Sequence, residues 1–340
     1  MRVFAFPKTG IAYNESFYRA VEAAGVQVIE GVFSGRWLLR HLRSDDVAHF
    51  HWPAFAYGGA ASPIALWMRF VRFISLLLLI RAKGVAICWT AHNLLPHDRA
   101  TIAYVDLLAR KVVIRLCSRI FVHGPSAAQL LKGLFPSCER KLVQIEHGHW
   151  IDYYPNYVSR EDARRKLGVS PQTFVYLFIG LCKEYKNIEG LVEAFQAMSG
   201  DVALLIAGKF QNEAYRSKVE DLARKDGRVR LDPGFIADGD LQYYLSAADV
   251  VVAPYRDVLT SGTAMLALSF GRPLVSVAIA FLLDVITERS GILYDPSEPS
   301  ALRRALQDAR EKAFDPQTIL SEARRFSWDV SAGRFLAALA

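Results

Sequence analysis

The sequence predicts an α/β protein made of two Rossmann-like, doubly wound parallel-sheet domains. Three observations carry this. Short apolar runs alternate with longer helical patterns along all 340 residues, as parallel β/α units require. The runs number twelve, too many for one such sheet in this length. A polar stretch at 157–172, ending in Gly168-Val169-Ser170-Pro171, divides them into two sets of about six.

In the first half the strand candidates are 3–6, 27–29, 47–51, 85–90, 119–123 and 143–146. Each is a short run rich in Val, Ile and Phe, too short for a helix and bounded by polar, Gly or Pro residues. In the second half they are 174–179, 203–207, 229–231, 250–253, 273–276 and 291–293. Helical periodicity fills the intervals at 16–24, 99–117, 127–134, 188–197, 212–225, 238–247 and 263–270. The expected division is a first domain over 1–160, a linker over 161–172 and a second domain over 173–325. A last helix over 326–340 is expected to cross back to the first domain.

Composition sets the limits. With 52% hydrophobic and 22% charged residues the chain folds. Cys88, Cys117, Cys138 and Cys182 lie far apart with no C-x-x-C spacing, so neither a zinc ribbon nor a disulfide framework is expected and a reducing cytosol fits. The opening Met1-Arg2-Val3-Phe4-Ala5-Phe6-Pro7 is too short for a secretory signal. Neither half opens with G-x-G-x-x-G, which disfavours a nicotinamide dehydrogenase.

Net charge is +7, and it is unevenly placed: residues 1–150 hold 18 Lys and Arg against 9 Asp and Glu. The first domain is therefore expected to face an anionic surface. Nucleic acid is not the expected partner, since no zinc finger, RNP-type or helix-turn-helix signal accompanies the charge. Residues 64–83 interleave Trp67, Phe70 and Phe73 with Arg69 and Arg72 and end in Arg81 and Lys83, suiting a helix that lies on an anionic membrane surface. A core helix with an arginine edge is the other reading.

Ligands in open α/β sheets bind beyond the carboxyl ends of strands, so the segments just after each strand are the informative ones. After 174–179 comes Gly180-Leu181-Cys182-Lys183-Glu184-Tyr185-Lys186-Asn187. Lys183 and Lys186, in a Gly-initiated loop before a helix, suit a diphosphate. After 250–253 comes Pro254-Tyr255, then Thr260-Ser261-Gly262-Thr263. Thr260, Ser261 and Thr263 are candidate caps of the next helix, and Gly262 admits an oxygen-rich ligand to the backbone.

In the first half, 85–90 runs into Ala91-His92-Asn93-Leu94-Leu95-Pro96-His97-Asp98. His92, His97 and Asp98 suit proton transfer or sugar hydrogen bonding. Metal ligation is not expected there, because the two histidines are five apart on a Pro-containing loop with no Cys partner. His51-Trp52 and His147-Gly148-His149-Trp150 also follow strands, and histidine-aromatic pairs hydrogen-bond and stack on sugar rings. After the first strand, Asn14 or Ser16 is expected to cap the next helix, with the Pro7–Asn14 loop near acceptor or phosphate.

Together these segments resemble the GT-B glycosyltransferases, which carry two Rossmann-like domains about a nucleotide-sugar. The resemblance is carried by Phe178 to Asn187, by Ala248-Asp249 through Pro254-Tyr255, and by Thr260-Ser261-Gly262-Thr263 leading to Gly271-Arg272-Pro273. It implies that Lys183, Lys186, Ser261, Gly262 and Thr263 hold a donor diphosphate, that the cleft between the domains is the site, and that first-domain loops face sugar and acceptor. Asp98, with His92 and His97, is the expected catalytic set; Asn14, His51, Trp52, His147, His149 and Tyr255 are the expected sugar and acceptor contacts.

The Glu-x7-Glu pattern of the large retaining family similar to this chain is absent, Val258 and Leu266 standing at its positions. The sequence is in this respect similar to bacterial exopolysaccharide glycosyltransferases, including xanthan-type β-mannosyltransferases, some of which invert. Inversion would make Asp98 the base, with Glu15 and Glu146 as substitutes; retention would make it a binding residue. The expectation is a peripheral enzyme on the cytoplasmic face of the cell membrane, using a GDP- or UDP-linked donor, a lipid-linked saccharide or polysaccharide acceptor, no cofactor and no metal. The alternatives are a catalytically inactive sugar- or nucleotide-binding scaffold and a sugar-nucleotide epimerase.

Overall fold

The computed structural model describes residues 1–96 and 102–340 and resolves the chain into two compact units, Met1–Gly148 with Ser327–Ala340, and His149–Phe326. The first unit runs β1 (Val3–Phe6), α1 (Ala12–Ala23), β2 (Val28–Glu30), α2 (Gly35–His41), β3 (Val47–Phe50), α3 (Pro63–Ala82), β4 (Ala86–Thr90), α4 (Ala103–Leu116), β5 (Arg119–His123), α5 (Pro125–Leu134) and β6 (Leu142–Ile145). The second runs α6 (Arg160–Leu167), β7 (Phe174–Ile179), α7 (Ile188–Gln196), β8 (Val202–Gly208), α8 (Glu213–Ala223), β9 (Val229–Pro233) and α9 (Leu241–Ala247). It continues with β10 (Val250–Ala253), α10 (Gly262–Ser269), β11 (Leu274–Val277), α11 (Phe281–Val285), β12 (Gly291–Tyr294), α12 (Ala301–Glu311) and α13 (Pro316–Ala323). The closing α14 (Trp328–Ala337) belongs to the first unit.

Each unit holds one six-stranded parallel sheet, ordered β2-β1-β3-β4-β5-β6 in the first and β12-β11-β10-β7-β8-β9 in the second. Every one of the twelve expected strands is present. They are legible because helices cover both faces of a parallel sheet, so its inner strands are near-continuous apolar runs such as Phe-Val-Tyr-Leu-Phe-Ile in β7. In the first unit the core gathers Val3, Phe17, Val47, Cys88 and Phe121 under α1 and α14, with Phe335 of α14 edge-on to Phe17 at 5.2 Å.

Three expectations are corrected. The boundary between units lies at Gly148/His149 and not near 160, and the expected linker 161–172 is largely helix α6 of the second unit. Its six charged residues hide a built element: Ser159 caps the Asp162 amide, Gly168 closes the helix in the left-handed region, and Arg164 is buried. Helix α1 starts at Ala12, ahead of the expected cap. Asn14 therefore lies inside its first turn, fully buried, and donates from Nδ2 to the Pro7 carbonyl at 2.7 Å.

Candidate functional site

In the second unit, two strand ends build one cationic pocket. Gly180 leaves β7 with φ +124°, and a side chain on Gly208 at the end of β8 would collide with the Gly180 carbonyl. The two backbones can run this close only without Cβ atoms. The loop after Gly180 turns Lys186 inward, where it is 8% exposed.

The Lys186 ammonium has no ion pair or hydrogen bond among the described residues; it lies 5.6 Å from the Phe178 ring centroid and 5.9 Å from that of Tyr255. Burial pushes its pKa down to about 8, nearby Lys183 adding to the effect against Cys182. A buried ammonium left without an anion is costly, and an anionic ligand would remove that cost.

Helix α10 brings the complementary groups. Ser261 is its N-cap, accepting from the Ala264 amide at 3.1 Å, and Gly262 opens the helix. The Tyr255 hydroxyl sits 2.9 Å from Ser261 Oγ and also engages Thr263. Gly180 ties the two loops together: a Cβ there would lie 3.3 Å from Lys186 Nζ and 3.6 Å from Thr263 Oγ1. A lysine, two hydroxyls and the positive end of a helix thus converge on one place, an arrangement that binds phosphate groups. Lys183 is half-buried on the same loop. Tyr255, expected to touch sugar, is buried, and its hydroxyl meets Ser261 at the α10 terminus.

In the first unit, the carboxyl ends of four neighbouring strands each supply a buried imidazole: His49 and His51 at β3, His92 at β4, His123 at β5 and His147 at β6. Hydrogen bonds link several into a chain. Thr90 Oγ1 lies 2.8 Å from His49 Nε2; Tyr18 Oη is 2.9 Å from His49 Nδ1 and 2.7 Å from His51 Nε2; His51 Nδ1 is 2.9 Å from His92 Nε2. Tyr13 places its ring edge-on to His92 and His147, at 4.6 and 5.0 Å.

Burial holds these rings neutral, lowering His49 to about 3 and His147 to about 4, and His51, His92 and His123 well below the ordinary value. Trp52 stacks on His92 at 4.3 Å and lines a cavity of about 470 Å³ with Phe55, Asn93, Pro96 and Arg110.

The structure therefore joins His51, His92, Trp52 and His147 in one cluster. It encloses Asn14, His51 and His147 fully or nearly so, the two histidines as part of the cluster. His149 does not join it: it falls in the second unit, its amide bonded to the Phe326 carbonyl at 2.9 Å. His97 and Asp98 lie outside the described residues. Tyr18, Tyr13, His49 and His123 were not expected at the site; a histidine at the end of every strand from β3 to β6 was the available signal for two of them. The one Asp-x-Asp tripeptide, Asp238-Gly239-Asp240, precedes α9, where Asp240 pairs with Lys166 at 3.1 Å.

Residues 173–311 match the family described as glycosyl transferases group 1. The chain is 26% identical over 273 residues to GDP-mannose:glycolipid 4-beta-D-mannosyltransferase of Xanthomonas campestris pv. campestris, covering 77% of this chain and 71% of that protein. Against the protein of the same name from a second strain the identity is 26% over 238 residues, covering 68% of this chain and 61% of the relative. Among solved structures, Anabaena HepE in complex with UDP superimposes with a TM-score of 0.73 at 15% identity, over 100% of this chain and 99% of that one. Sucrose-phosphate synthase from Thermosynechococcus elongatus gives 0.70 at 20% identity, over 97% and 79%. The two sheet units have the GT-B glycosyltransferase fold.

Proposed function

We propose that this glycosyltransferase, with its group 1 domain at residues 173–311, moves a sugar from a GDP- or UDP-linked donor to a lipid-linked saccharide or polysaccharide at the cytoplasmic face of a membrane. The observation that carries the donor half is the buried Lys186 ammonium, which has no anion among the described residues and faces the α10 N-terminus. A nucleoside diphosphate supplies that anion. The similar proteins support the class, one being a GDP-mannose:glycolipid mannosyltransferase and one a structure in complex with UDP.

In this reading Lys186 and Lys183 take the charge that develops on the diphosphate as the glycosidic bond breaks, and the amides of Gly262 and Thr263 add the helix dipole. These fixed charges do the work that a metal would do elsewhere, so transfer proceeds without metal or cofactor. Val258 and Leu266 offer no carboxylate to the sugar, so its recognition falls to other groups. His92 and Trp52 are the first-unit residues assigned to the acceptor: Trp52 is part-exposed on the 470 Å³ cavity and His92 keeps 8% exposure beside it.

Helix α3 supports the membrane half. Leu66, Phe70, Phe73, Leu77 and Ile80 face the core, while Ile64, Trp67, Met68, Val71 and Leu78 form an outward stripe at helical spacing with Arg69 and Arg72 beside it. An apolar stripe flanked by arginines suits the headgroup boundary of an anionic leaflet. By length and composition alone the helix would also span a bilayer, but a third of its apolar stretch is buried inside its own unit.

Calorimetric titration with GDP and UDP tests the donor site. The expected result is binding of at least one, weakened in Lys186→Met by roughly tenfold or more for a lost charge-assisted bond. Equal binding by wild type and variant would remove the basis of the assignment.

A further inference from the structure

The second unit has another basic cavity, at the opposite ends of its strands. It encloses about 220 Å³ and is lined by Arg160, Asp249, Arg272 and Lys312 together with Phe174 and Pro273. Phe174 opens β7, Asp249 immediately precedes β10 and Pro273 immediately precedes β11. The cavity therefore sits at the amino ends of strands whose carboxyl ends carry Gly180 and Tyr255.

Its charges do not balance. Asp249 is already filled: Oδ2 accepts from the Val175 amide and from Arg164 Nη2, both at 2.7 Å, and Oδ1 pairs with Arg160 Nη2 at 2.5 Å. Arg164 directs its remaining donors to the carbonyls of Ala247, Ser170, Pro171 and Thr173. Arg272 is left over. Its Nε is buried with no hydrogen-bond partner, and Lys312 forms no ion pair among the described residues.

The neighbouring carboxylates are engaged: Asp315 caps α13 and Asp201 accepts from Thr173 Oγ1 at 2.7 Å. Burial and the charges of Arg160 and Arg164 lower the pKa of Arg272, with Asp249 opposing. A buried guanidinium donor without an acceptor is a rare and costly arrangement.

We propose that this cavity is a binding site for a phosphate-class oxyanion, held by Arg272, Arg160 and Lys312 and separate from the donor site at Lys186. Four cations share one carboxylate here, so a monoanionic carboxylate ligand would leave the excess standing, whereas a phosphate dianion removes most of it. Its oxygens also suit the planar fork of donors that a guanidinium presents. The inference stands apart from the proposed transfer reaction, because it uses none of the donor-site residues.

The test is titration of the full chain with inorganic phosphate, followed by calorimetry and thermal shift, in a Lys186→Met background that removes the other anion site. Phosphate is expected to bind and raise the melting temperature there. Adding Arg272→Met should weaken binding by roughly tenfold or more, while Arg272→Lys retains part of it. In the otherwise wild-type chain, Arg272→Met should leave GDP and UDP binding unchanged. If Arg272→Met fails to fold, Lys312→Gln, an exposed position, should weaken phosphate binding several-fold by itself. Absence of any phosphate response in the Lys186→Met protein, or an undiminished response in both Arg272→Met and Lys312→Gln, would overturn the site.

Discussion

His51 Nδ1 and His92 Nε2 lie 2.9 Å apart, two buried imidazoles joined by one proton. Two cations this close in a dry interior would repel and lose their hydration, so both rings stay neutral. The consequence is an acid-sensitive first unit. A histidine whose folded pKa lies below its unfolded one binds fewer protons when folded, so stability is full above the unfolded value of 6.5 and falls as pH drops toward the folded value.

For His49 the window runs from 6.5 down to about 3, and for His147 down to about 4. Each such histidine contributes about 1.4 kcal/mol per pH unit well inside its window. The unfolding midpoint in urea should therefore fall steadily from pH 7 to pH 5, and more shallowly in His49→Gln. A midpoint that is flat over this range would contradict neutral burial.

Tyr18 is the hinge of the hydrogen-bonded chain, since its single hydroxyl meets both His49 and His51. Tyr18→Phe keeps the ring and deletes the hydroxyl, leaving two buried imidazole nitrogens without that partner. A loss of about 1–3 kcal/mol in unfolding free energy is expected. GDP and UDP affinity, assigned by the proposal to the second unit, should not change. Denaturant titration and calorimetry on the same variant read both.

The strands were legible because buried parallel strands are marked by local composition alone. Lys183 and Lys186 stand out in the sequence because they lie three apart in the loop that follows one strand. That Lys186 is the buried one was not, because its enclosure depends on Gly180, Gly208 and Tyr255, the last 69 positions on from it. Helix α6 was hidden by its charges, Arg164 being a core residue that satisfies backbone carbonyls. The histidine cluster needed the pairing of β3 with β4, of β4 with β5 and of β5 with β6, which no single segment encodes.

The proposed donor role of Lys186 predicts a pH dependence of nucleotide binding. With its pKa near 8, the free ammonium is mostly protonated at pH 7 and mostly neutral at pH 9. An anionic ligand binds the protonated form, so GDP or UDP affinity should weaken from pH 7 to pH 9, with proton uptake on binding at the upper end. Titrations in two buffers of different ionisation enthalpy would detect that uptake. The Lys186→Met protein should show neither effect.

Helix α3 makes a separable prediction. Val71 is 59% exposed on the outward stripe, so Val71→Asp should leave folding and nucleotide binding intact while abolishing flotation with phosphatidylglycerol vesicles. Vesicles of neutral lipid should bind the wild type more weakly, because Arg69 and Arg72 then lose their anionic partners. Equal flotation of wild type and Val71→Asp would reject α3 as the attachment surface.

The most direct measurement follows release of nucleoside diphosphate from GDP-mannose or a UDP-linked sugar by the purified chain, with and without a lipid extract. The expected result is release that depends on the extract, persists in the presence of a metal chelator and drops by roughly tenfold or more in Lys186→Met. Release by Lys186→Met at the wild-type rate, or binding of nucleotide with no release under any of these conditions, would contradict the cationic pocket as the seat of sugar transfer.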